Sequence, residues 1–349
     1  MLTIEELKTR LTVENSVELL EYYGAEIKSE NEEYIVFSSI CHYSSSPKLY
    51  LYKETNTLYC WSQCGVIDLI TIVRDEENMS LQEAIEFLTD FFQLNYKHKF
   101  GRPPKIERKP REIKKKEINF NEKLPIKKSS LLNTFYDIPP LEWIKEGISP
   151  NVMKLFGIKY DISTKSIIIP HKDIDGNIVG IRCRNLDVDR IEKFGKYTPY
   201  TDQLSGIMYN HRLSMALYGL YENKENITNK KNVIVFESEK SVLLMNSYYP
   251  NDSIAVAVGG SVIHDYQLNL LKQLGVENII ICFDYEVREK LLNKMEKSYK
   301  KCALHFNTYI IDLELAEKLL DESDSPIDKG LEVFETLLWN KIEYKIINN

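Results

Sequence analysis

The chain has 349 residues, of which 43% are hydrophobic and 28% are charged, and its net charge is -7. This composition predicts a soluble globular protein of two or three domains and excludes a disordered or collagen-like chain. No stretch approaches the roughly 20 consecutive apolar residues that a membrane helix needs. The opening MLTIEELKTR is amphipathic and contains acids, unlike a signal peptide, so we expect a cytoplasmic protein.

Residues 1–96 have the pattern of a small domain that surrounds a group of cysteines. Two short helical periods precede the β-type runs YIVFSSIC and PKLYLYKETNTLYCW. The second run contains the polar turn Glu54-Thr55-Asn56, which predicts a hairpin. Cys41, Cys60 and Cys64 fall within 24 positions, and His42 follows the first of them. In a cytosolic chain such a group favours a metal site over a disulfide. The alternative is a metal-free ribbon in which Cys60 and Cys64 are structural thiols.

Residues 97–130 form a basic segment that we expect to be a flexible linker. From Lys97 to Lys128 there are 13 Lys and Arg residues against 4 Glu, a local charge of +9, so the rest of the chain sums to -16. Three prolines and the lack of an apolar period argue against packed structure in GRPPKIERKPREIKKKE. The segment is either a solvated connector or a tether that attracts phosphate.

The second half of the chain predicts two further parts with different architectures. In residues 131–228, the runs KSIIIPHKD and NIVGIRCRNL flank Asp175-Gly176, which is a hairpin signal. In residues 229–349, apolar runs alternate with amphipathic helices, which indicates an α/β arrangement with a parallel sheet covered on both faces. We therefore expect a mixed α+β multidomain protein.

Acidic residues follow two of the apolar runs in the predicted parallel sheet. Glu237 comes directly after VIVF, and Asp284 comes after IIICF, with Glu286 two positions later. Residues two apart in an extended strand point the same way, so Asp284 and Glu286 can address one ion. Hard oxygen ligands of this kind suit Mg²⁺ or Mn²⁺. The alternative is that each acid caps the N-terminus of the following helix.

These residues resemble two domains of DnaG-type primases, in the order in which those domains occur in that family. Glu237, Gly259-Gly260-Ser261 and Asp284-Tyr285-Glu286 are similar to a TOPRIM domain, and Cys41, His42, Cys60 and Cys64 resemble the primase zinc-binding domain. Between them, the segments that look like the N-terminal half of the primase core are GISPNVMKLFGI, Arg184-Asn185-Leu186, Gly195-Lys196-Tyr197 and LYGLYEN. The resemblance runs over roughly residues 1 to 335.

The chain departs from the family pattern at several positions. Ser39 replaces the first cysteine of the family's Cys-x-x-His knuckle, and Ser241 replaces the second acid of Glu-Gly-x-x-Asp. Glu146 stands where an Arg often precedes the Gly of Gly-Ile-Ser. The family's later Asp-Pro-Asp corresponds loosely to Asp324-Ser325-Pro326-Ile327-Asp328, which also fits a loop that starts a helix.

The resemblance implies a DNA primase, a DNA-directed RNA polymerase that makes short RNA primers on single-stranded DNA from ribonucleoside triphosphates. It implies a zinc-ribbon domain that binds template over residues 1–96, the linker over 97–130, the N-terminal core subdomain over 131–228 and a TOPRIM-like catalytic domain over 229–349. Mg²⁺ or Mn²⁺ would serve catalysis and one Zn²⁺ the ribbon, whose tyrosines offer stacking faces. The implied site residues are Glu237, Asp284 and Glu286 for catalysis; Asp324 and Asp328 as additional acids; Arg182, Arg184, Lys196 and Tyr197 for nucleotide or nucleic acid; and Cys41, His42, Cys60 and Cys64 for zinc.

Two other classes of function stay open at this point. One is a TOPRIM-type nuclease, and the other is a non-catalytic single-stranded-DNA-binding replication accessory protein with a decayed site. The chain ends soon after the last TOPRIM-like helix, so we expect a phage or mobile-element primase without the family's C-terminal helicase-binding region. It would work in the cytoplasm of a bacterium or of a phage-infected host, and a replicative helicase remains a possible partner through another surface.

Overall fold

The structure, a computed structural model, describes residues 3–40, 44–60, 65–77, 79–92, 94, 120–202, 205–285 and 298–345. The chain divides into two compact units, Met1–Glu117 and Ile118–Asn349. Residues 120–130, which the sequence assigns to the linker, belong to the second unit. Leu124 is buried there, and the Lys127 N–H donates to the Ile178 carbonyl at 2.7 Å. In the described ranges, no helix is long and apolar enough to cross a membrane.

The first unit combines an antiparallel sheet with helices packed against it. Its described helices are α1 (Ile4–Arg10), α2 (Val13–Tyr22), α3 (Leu69–Glu77) and α4 (Leu81–Phe91). Its described strands lie in the order β1 (Ile27–Glu30), β2 (Tyr34–Ser39), β3 (Ser44–Tyr52), β4 (Thr57–Cys60) and β5 (Gly65–Ile67). The β3–β4 pairing confirms the predicted hairpin, and Asn56 adopts the positive φ of 50° that its tight turn requires.

The second unit begins with short helices and a four-stranded antiparallel sheet. The helices are α5 (Leu141–Lys145), α6 (Pro150–Leu155) and α7 (Val188–Phe194). The strands lie in the order β6 (Lys159–Asp161), β7 (Ser166–Lys172), β8 (Ile178–Asn185) and β9 (Tyr197–Pro199). The β7–β8 pairing confirms the hairpin predicted at Asp175-Gly176, where Gly176 has a φ of 90°. Ser149 caps α6 and Pro150 occupies its first turn, where proline is common because its missing N–H has no partner to lose.

The remainder of the second unit is built on a mainly parallel sheet with strand order β11-β10-β12-β13-β14. The strands β10 to β13 pair in parallel, and β14 pairs antiparallel with β13 at the edge. The strands are β10 (Asn232–Phe236), β11 (Ala255–Ala257), β12 (Asn278–Ile281), β13 (Asn307–Ile310) and β14 (Ile342–Glu343). The helices described around them are α8 (Leu220–Lys230), α9 (Glu239–Tyr248), α10 (Asp265–Gln273), α11 (Leu313–Leu319) and α12 (Leu331–Trp339).

Both faces of the parallel sheet are buried, as its continuous apolar strands predict. Along β10, Ile234 and Phe236 point into a core shared with α9, α12 and the antiparallel sheet, including Ile167. Val233 and Val235 point to the other face and join a core with α8 and α10. The mixed α+β architecture expected from the sequence is confirmed, and β7 and β8 of the antiparallel sheet contact the first turn of α9.

Candidate active site

The two acids predicted at strand ends lie at neighbouring ends of the parallel sheet. The strands β10 and β12 pair in register, with Val235 opposite Ile281, and the Cys282 N–H donates to the Val235 carbonyl at 2.8 Å. Glu237 follows β10 and Asp284 follows β12 by the same edge, and both side chains are partly exposed. Because β11 and β12 flank β10 on opposite sides, this edge is a topological switch point, where α/β sheets bind ligands. Glu286 lies outside the described residues.

The loop between α11 and α12 lies against the residues that follow β12. The Tyr285 N–H donates to the Asp324 carbonyl at 2.8 Å, and the Ser323 N–H donates to the Tyr285 carbonyl at 2.7 Å. These two hydrogen bonds bring the backbone of Asp324 close to Tyr285, the residue that follows Asp284. The Asp324 carboxylate forms an ion pair with Lys329 at 3.0 Å, so a metal role for Asp324 needs that pair to open.

Asp328 belongs to a row of alternating charges beside the start of α9. Its Oδ1 lies 2.9 Å from Lys240 Nζ, and the same ammonium lies 2.9 Å from Glu146 Oε2. Glu146 in turn accepts from Arg184 Nη2 at 3.3 Å. The pKa of Lys240 is raised, because the nearby Asp328 and Glu146 carboxylates outweigh the opposing effect of its burial. Asp328 is therefore engaged by a cation in this structure.

The basic residues predicted on the antiparallel sheet converge on the same region. Arg184 on β8 lies opposite Tyr197 on β9, and its Nη1 donates to the Tyr197 hydroxyl at 3.1 Å. The guanidinium groups of Arg182 and Arg184 lie 5.3 and 5.7 Å from the centre of the Tyr197 ring, within cation–π range. Lys196, one residue before Tyr197, has an exposed side chain. The structure thus brings together the four residues predicted for nucleotide or nucleic acid.

Arg182 has a buried partner that the sequence reasoning missed. Glu239, in the first turn of α9, is 2% exposed; it forms an ion pair with Arg182 and accepts from His171 Nε2 at 3.0 Å. The Arg182 guanidinium and the His171 hydrogen bond hold the pKa of Glu239 well below its ordinary value, despite burial. A signal was present in the sequence, since Arg182 and His171 lie in strands of apolar character and buried charges require partners.

Around this ion pair, two aromatic side chains complete a buried cluster. The His171 ring lies 4.6 Å from that of His211 and 5.0 Å from that of Tyr218. Burial lowers the pKa of both His171 and His211, more strongly for His211, and raises that of Tyr218. The cluster joins β7 and β8 to the first turn of α9, which begins two residues after Glu237.

Serine hydroxyls occupy the place where the resemblance expects a second acid. Ser241 is fully buried, and its Oγ contacts Ser238 Oγ at 3.0 Å and donates to Ser325 Oγ at 2.9 Å. This chain of hydroxyls links the start of α9 to the loop that contains Asp324 and Asp328. It provides neutral hydrogen bonds at a position where a carboxylate would add charge.

The acids and thiols expected to bind metal are spread over both units. In the described residues, no three or more His, Cys, Asp or Glu side chains come close enough to hold an ion. Glu237 and Asp284 supply hard oxygen donors of the kind that Mg²⁺ prefers, while their expected third partner, Glu286, is not among the described residues. Of the expected zinc ligands, Cys60 is buried at the end of β4. Cys41, His42 and Cys64 lie outside the described residues, so the zinc site stays a prediction.

Comparisons with known proteins identify a phage relative and primase-like relatives. No protein-family model matches the chain. The chain is 32% identical over 369 residues to the SPbeta prophage-derived uncharacterized protein YorJ of Bacillus subtilis, covering 97% of each protein. The chain belongs to the YorJ family. This family membership agrees with the phage-like origin expected from the sequence.

This YorJ-family chain is also similar to DNA primases. It is 21% identical over 383 residues to a DNA primase of Borreliella burgdorferi, covering 98% of this chain and 69% of that protein. Among solved structures, the zinc-binding and RNA polymerase domains of the Aquifex aeolicus primase give 19% identity and a TM-score of 0.46, covering 99% of this chain and 87% of that one. A DnaG catalytic domain bound to single-stranded DNA gives 18% identity and a TM-score of 0.46, covering 61% and 80%.

Proposed function

We propose that this YorJ-family chain is a DNA primase that synthesises short RNA primers on single-stranded DNA. The observation that best supports this proposal is the meeting of two acids with a cationic sheet surface. Glu237 and Asp284 end neighbouring parallel strands, while Glu239 and Lys240, two and three residues after Glu237, reach Arg182 and the Glu146–Arg184 pair. Nucleotidyl transfer needs both signs of charge, because acids hold divalent cations and cations hold phosphates.

In the proposed reaction, the 3′-hydroxyl oxygen of one nucleotide attacks the α-phosphorus of the next. A phosphodiester bond forms, the α–β anhydride bond breaks, pyrophosphate leaves, and the hydroxyl proton passes to solvent. Glu237, Asp284 and Glu286 would hold Mg²⁺ or Mn²⁺, which when bound neutralises charge that develops on the attacking and leaving oxygens. Arg184 and Lys196 would orient the phosphate groups, and the carboxylates need not transfer protons themselves.

The first unit would bind the template through an aromatic face and a zinc-stabilised ribbon. Tyr50 and Tyr52 lie on one face of β3, Tyr59 on β4 is the register partner of Tyr50, and all three are partly exposed. Tyrosine rings stack on bases without selecting one sequence, which suits a template site. Loss of zinc on chelation, with loss of single-stranded DNA binding, is the result expected if Cys60 and its predicted partners hold the ion.

The decisive test is primer synthesis on single-stranded DNA with labelled ribonucleotides and Mg²⁺. Glu237→Gln and Asp284→Asn remove one carboxylate charge each with little change in shape, and we expect either to abolish incorporation. Matched controls are Glu277→Gln and Asp252→Asn, which remove acids that pair with Lys231 and Lys230 on the opposite, amino-end side of the sheet. Wild-type incorporation by either strand-end variant would contradict the proposal. Degradation of DNA without incorporation would also contradict it and would favour a nuclease.

A second candidate is a non-catalytic single-stranded-DNA-binding replication accessory protein. It is favoured by the neutral hydrogen bonds of Ser241 and by the engagement of Asp328 with Lys240, which leave fewer acids for metal than the family pattern has. Calorimetric titration separates the two candidates. The accessory role predicts tight binding of single-stranded DNA without measurable Mg²⁺ binding, whereas the primase proposal requires both.

A further inference from the structure

Three cations lie close together beside the start of α9, and we call Arg184, Lys196 and Lys240 the cation cluster. Lys240 was not among the residues suggested by the sequence. It lies in the first turn of a ten-residue helix, whose N-terminal dipole adds positive potential. Burial lowers the pKa of Lys196, as do the nearby charges of Arg184 and Lys240, against the smaller opposing effect of the Glu146 and Asp328 carboxylates. Such a group needs anions to be stable.

In this structure the anions are two carboxylates of the chain itself. Glu146 bridges two of the cations, with Oε1 at 3.3 Å from Arg184 Nη2 and Oε2 at 2.9 Å from Lys240 Nζ. Asp328 contacts the other side of Lys240. A phosphate group likewise presents two oxygens to two separate cations, so the same bridging arrangement suits a phosphate.

The arrangement differs from a buried structural ion pair in two respects. The cluster has three cations for two carboxylates, and Lys196 forms no ion pair within 4 Å among the residues that the structure describes. Glu146 is also about one-third exposed, so a ligand from solvent can reach the bridge that it makes. The neighbouring Arg182–Glu239 pair, in contrast, is neutralised one to one and Glu239 is inaccessible.

We propose that the cation cluster binds phosphate groups and that Glu146 is a built-in competitor which phosphate displaces from Arg184 and Lys240. This inference deepens the proposed function, because it assigns a further phosphate-binding residue, Lys240, to the same site. The bound chemistry is a polyphosphate or a nucleic-acid phosphate, both of which present oxygens at a spacing similar to that of the carboxylate. The competitor would weaken phosphate binding until two or more phosphates engage the cluster together.

The test measures phosphate binding directly and needs no catalytic activity. Inorganic tripolyphosphate is titrated into the full chain by calorimetry without divalent cations, so that Glu237 and Asp284 contribute no metal site. We expect Lys240→Met to weaken binding about tenfold or more, because a charge-assisted contact is lost. Lys240→Arg retains most of the affinity. Glu146→Gln removes the competitor and is expected to tighten binding about two- to fivefold.

Controls separate the cluster from other basic parts of the chain. The Lys231–Glu277 ion pair lies at the amino ends of β10 and β12, away from the cluster, so Lys231→Met and Glu277→Gln make the same charge changes there. Both controls should bind tripolyphosphate like the wild type. Any binding of polyphosphate by the basic segment over residues 97–130 is the same in every variant and cancels in the comparison. Thermal melting monitored by circular dichroism confirms that each variant is folded.

A parallel titration with a short single-stranded oligonucleotide distinguishes the two sources of phosphate. If Lys240→Met weakens the binding of tripolyphosphate alone, the cluster binds a nucleotide. If it also weakens the binding of the oligonucleotide, the cluster binds the nucleic-acid strand as well. Unchanged affinity of Lys240→Met for both ligands, or a Glu146→Gln variant that binds tripolyphosphate no more tightly than wild type, overturns the inference. If these shifts occur in a chain without primer synthesis, the phosphate site stands and the proposed function fails.

Discussion

The buried Arg182–Glu239 pair provides the sharpest prediction about stability. Glu239 is 2% exposed and the Arg182 side chain 17% exposed, so solvent screens their attraction little. Glu239→Gln keeps the size of the side chain but leaves the Arg182 guanidinium without its countercharge. Removing one partner of a buried pair costs about 3–5 kcal/mol, and we expect the lower end because the Gln carbonyl still accepts a hydrogen bond.

This free energy corresponds to a measurable shift in melting temperature. The unit that contains the pair spans Ile118–Asn349, and for domains of about this size 1 kcal/mol shifts Tm by about 2–4 °C. We therefore expect Glu239→Gln to lower the Tm of this unit by about 6–12 °C in melting followed by circular dichroism. Urea denaturation should show the corresponding loss of about 3 kcal/mol in the free energy of unfolding. Glu277→Gln, in an exposed pair, should change stability by about 0.5 kcal/mol or less.

A double-mutant cycle separates the ion pair from simple loss of packing. Arg182→Met removes the orphaned charge, so Arg182→Met/Glu239→Gln should lose less free energy of unfolding than the sum of the two single variants, by about 1 kcal/mol or more. Strict additivity would refute the reasoning. So would a Glu239→Gln variant that melts within about 1 °C of wild type, because the predicted cost exceeds typical surface effects.

Two further predictions concern the histidines that pack around this pair. The pKa values of His171 and His211 are lower in the folded state than in the unfolded chain, so the unfolded state binds more protons below its pKa of about 6.5. The contribution of these histidines to the free energy of unfolding is therefore fully present above that pH, and it should fall by up to about 1.4 kcal/mol per pH unit for each histidine as pH decreases. In urea titrations from pH 7 to 5, the double variant His171→Gln/His211→Gln should show a flatter dependence. Gly180→Ala would place a Cβ 2.0 Å from His211 Nδ1 and should lower stability by about 1–3 kcal/mol, whereas Gly260→Ala, with no atom within 4 Å, should melt like wild type.

The sequence was sufficient for the parts of the fold that depend on local patterns. The Asp175-Gly176 turn predicts the β7–β8 hairpin because an aspartate–glycine pair tolerates the required backbone, and the alternation within each strand follows from it. The continuous apolar runs of β10 and β12 predict a parallel sheet because both faces must be covered. The position of Glu237 and Asp284 at one edge then follows from parallel pairing alone.

The partners of the site residues could not be predicted in the same way. Glu239 and Lys240 lie in the stretch ESEKS, which by composition resembles an exposed helix start. Their roles depend on contacts with residues more than 50 positions away, Arg182 and Glu146, and these contacts depend on how the antiparallel sheet packs against α9. Periodicity gives the direction of a side chain within its own element but not the charge that it meets on another element.

The first turn of α9 couples the two signs of charge on which the proposed chemistry depends. Glu237, which precedes this turn, belongs to the acidic sheet edge, while Glu239 and Lys240 within it hold the cationic surface through Arg182 and Glu146. Because Glu237, Glu239 and Lys240 lie within four consecutive positions of one backbone segment, a change there cannot move the acids without moving the cations. Glu239→Gln should therefore weaken tripolyphosphate binding even at temperatures where the variant is fully folded. A loss of stability without any change in phosphate affinity would instead show that the two sheets hold their charges independently.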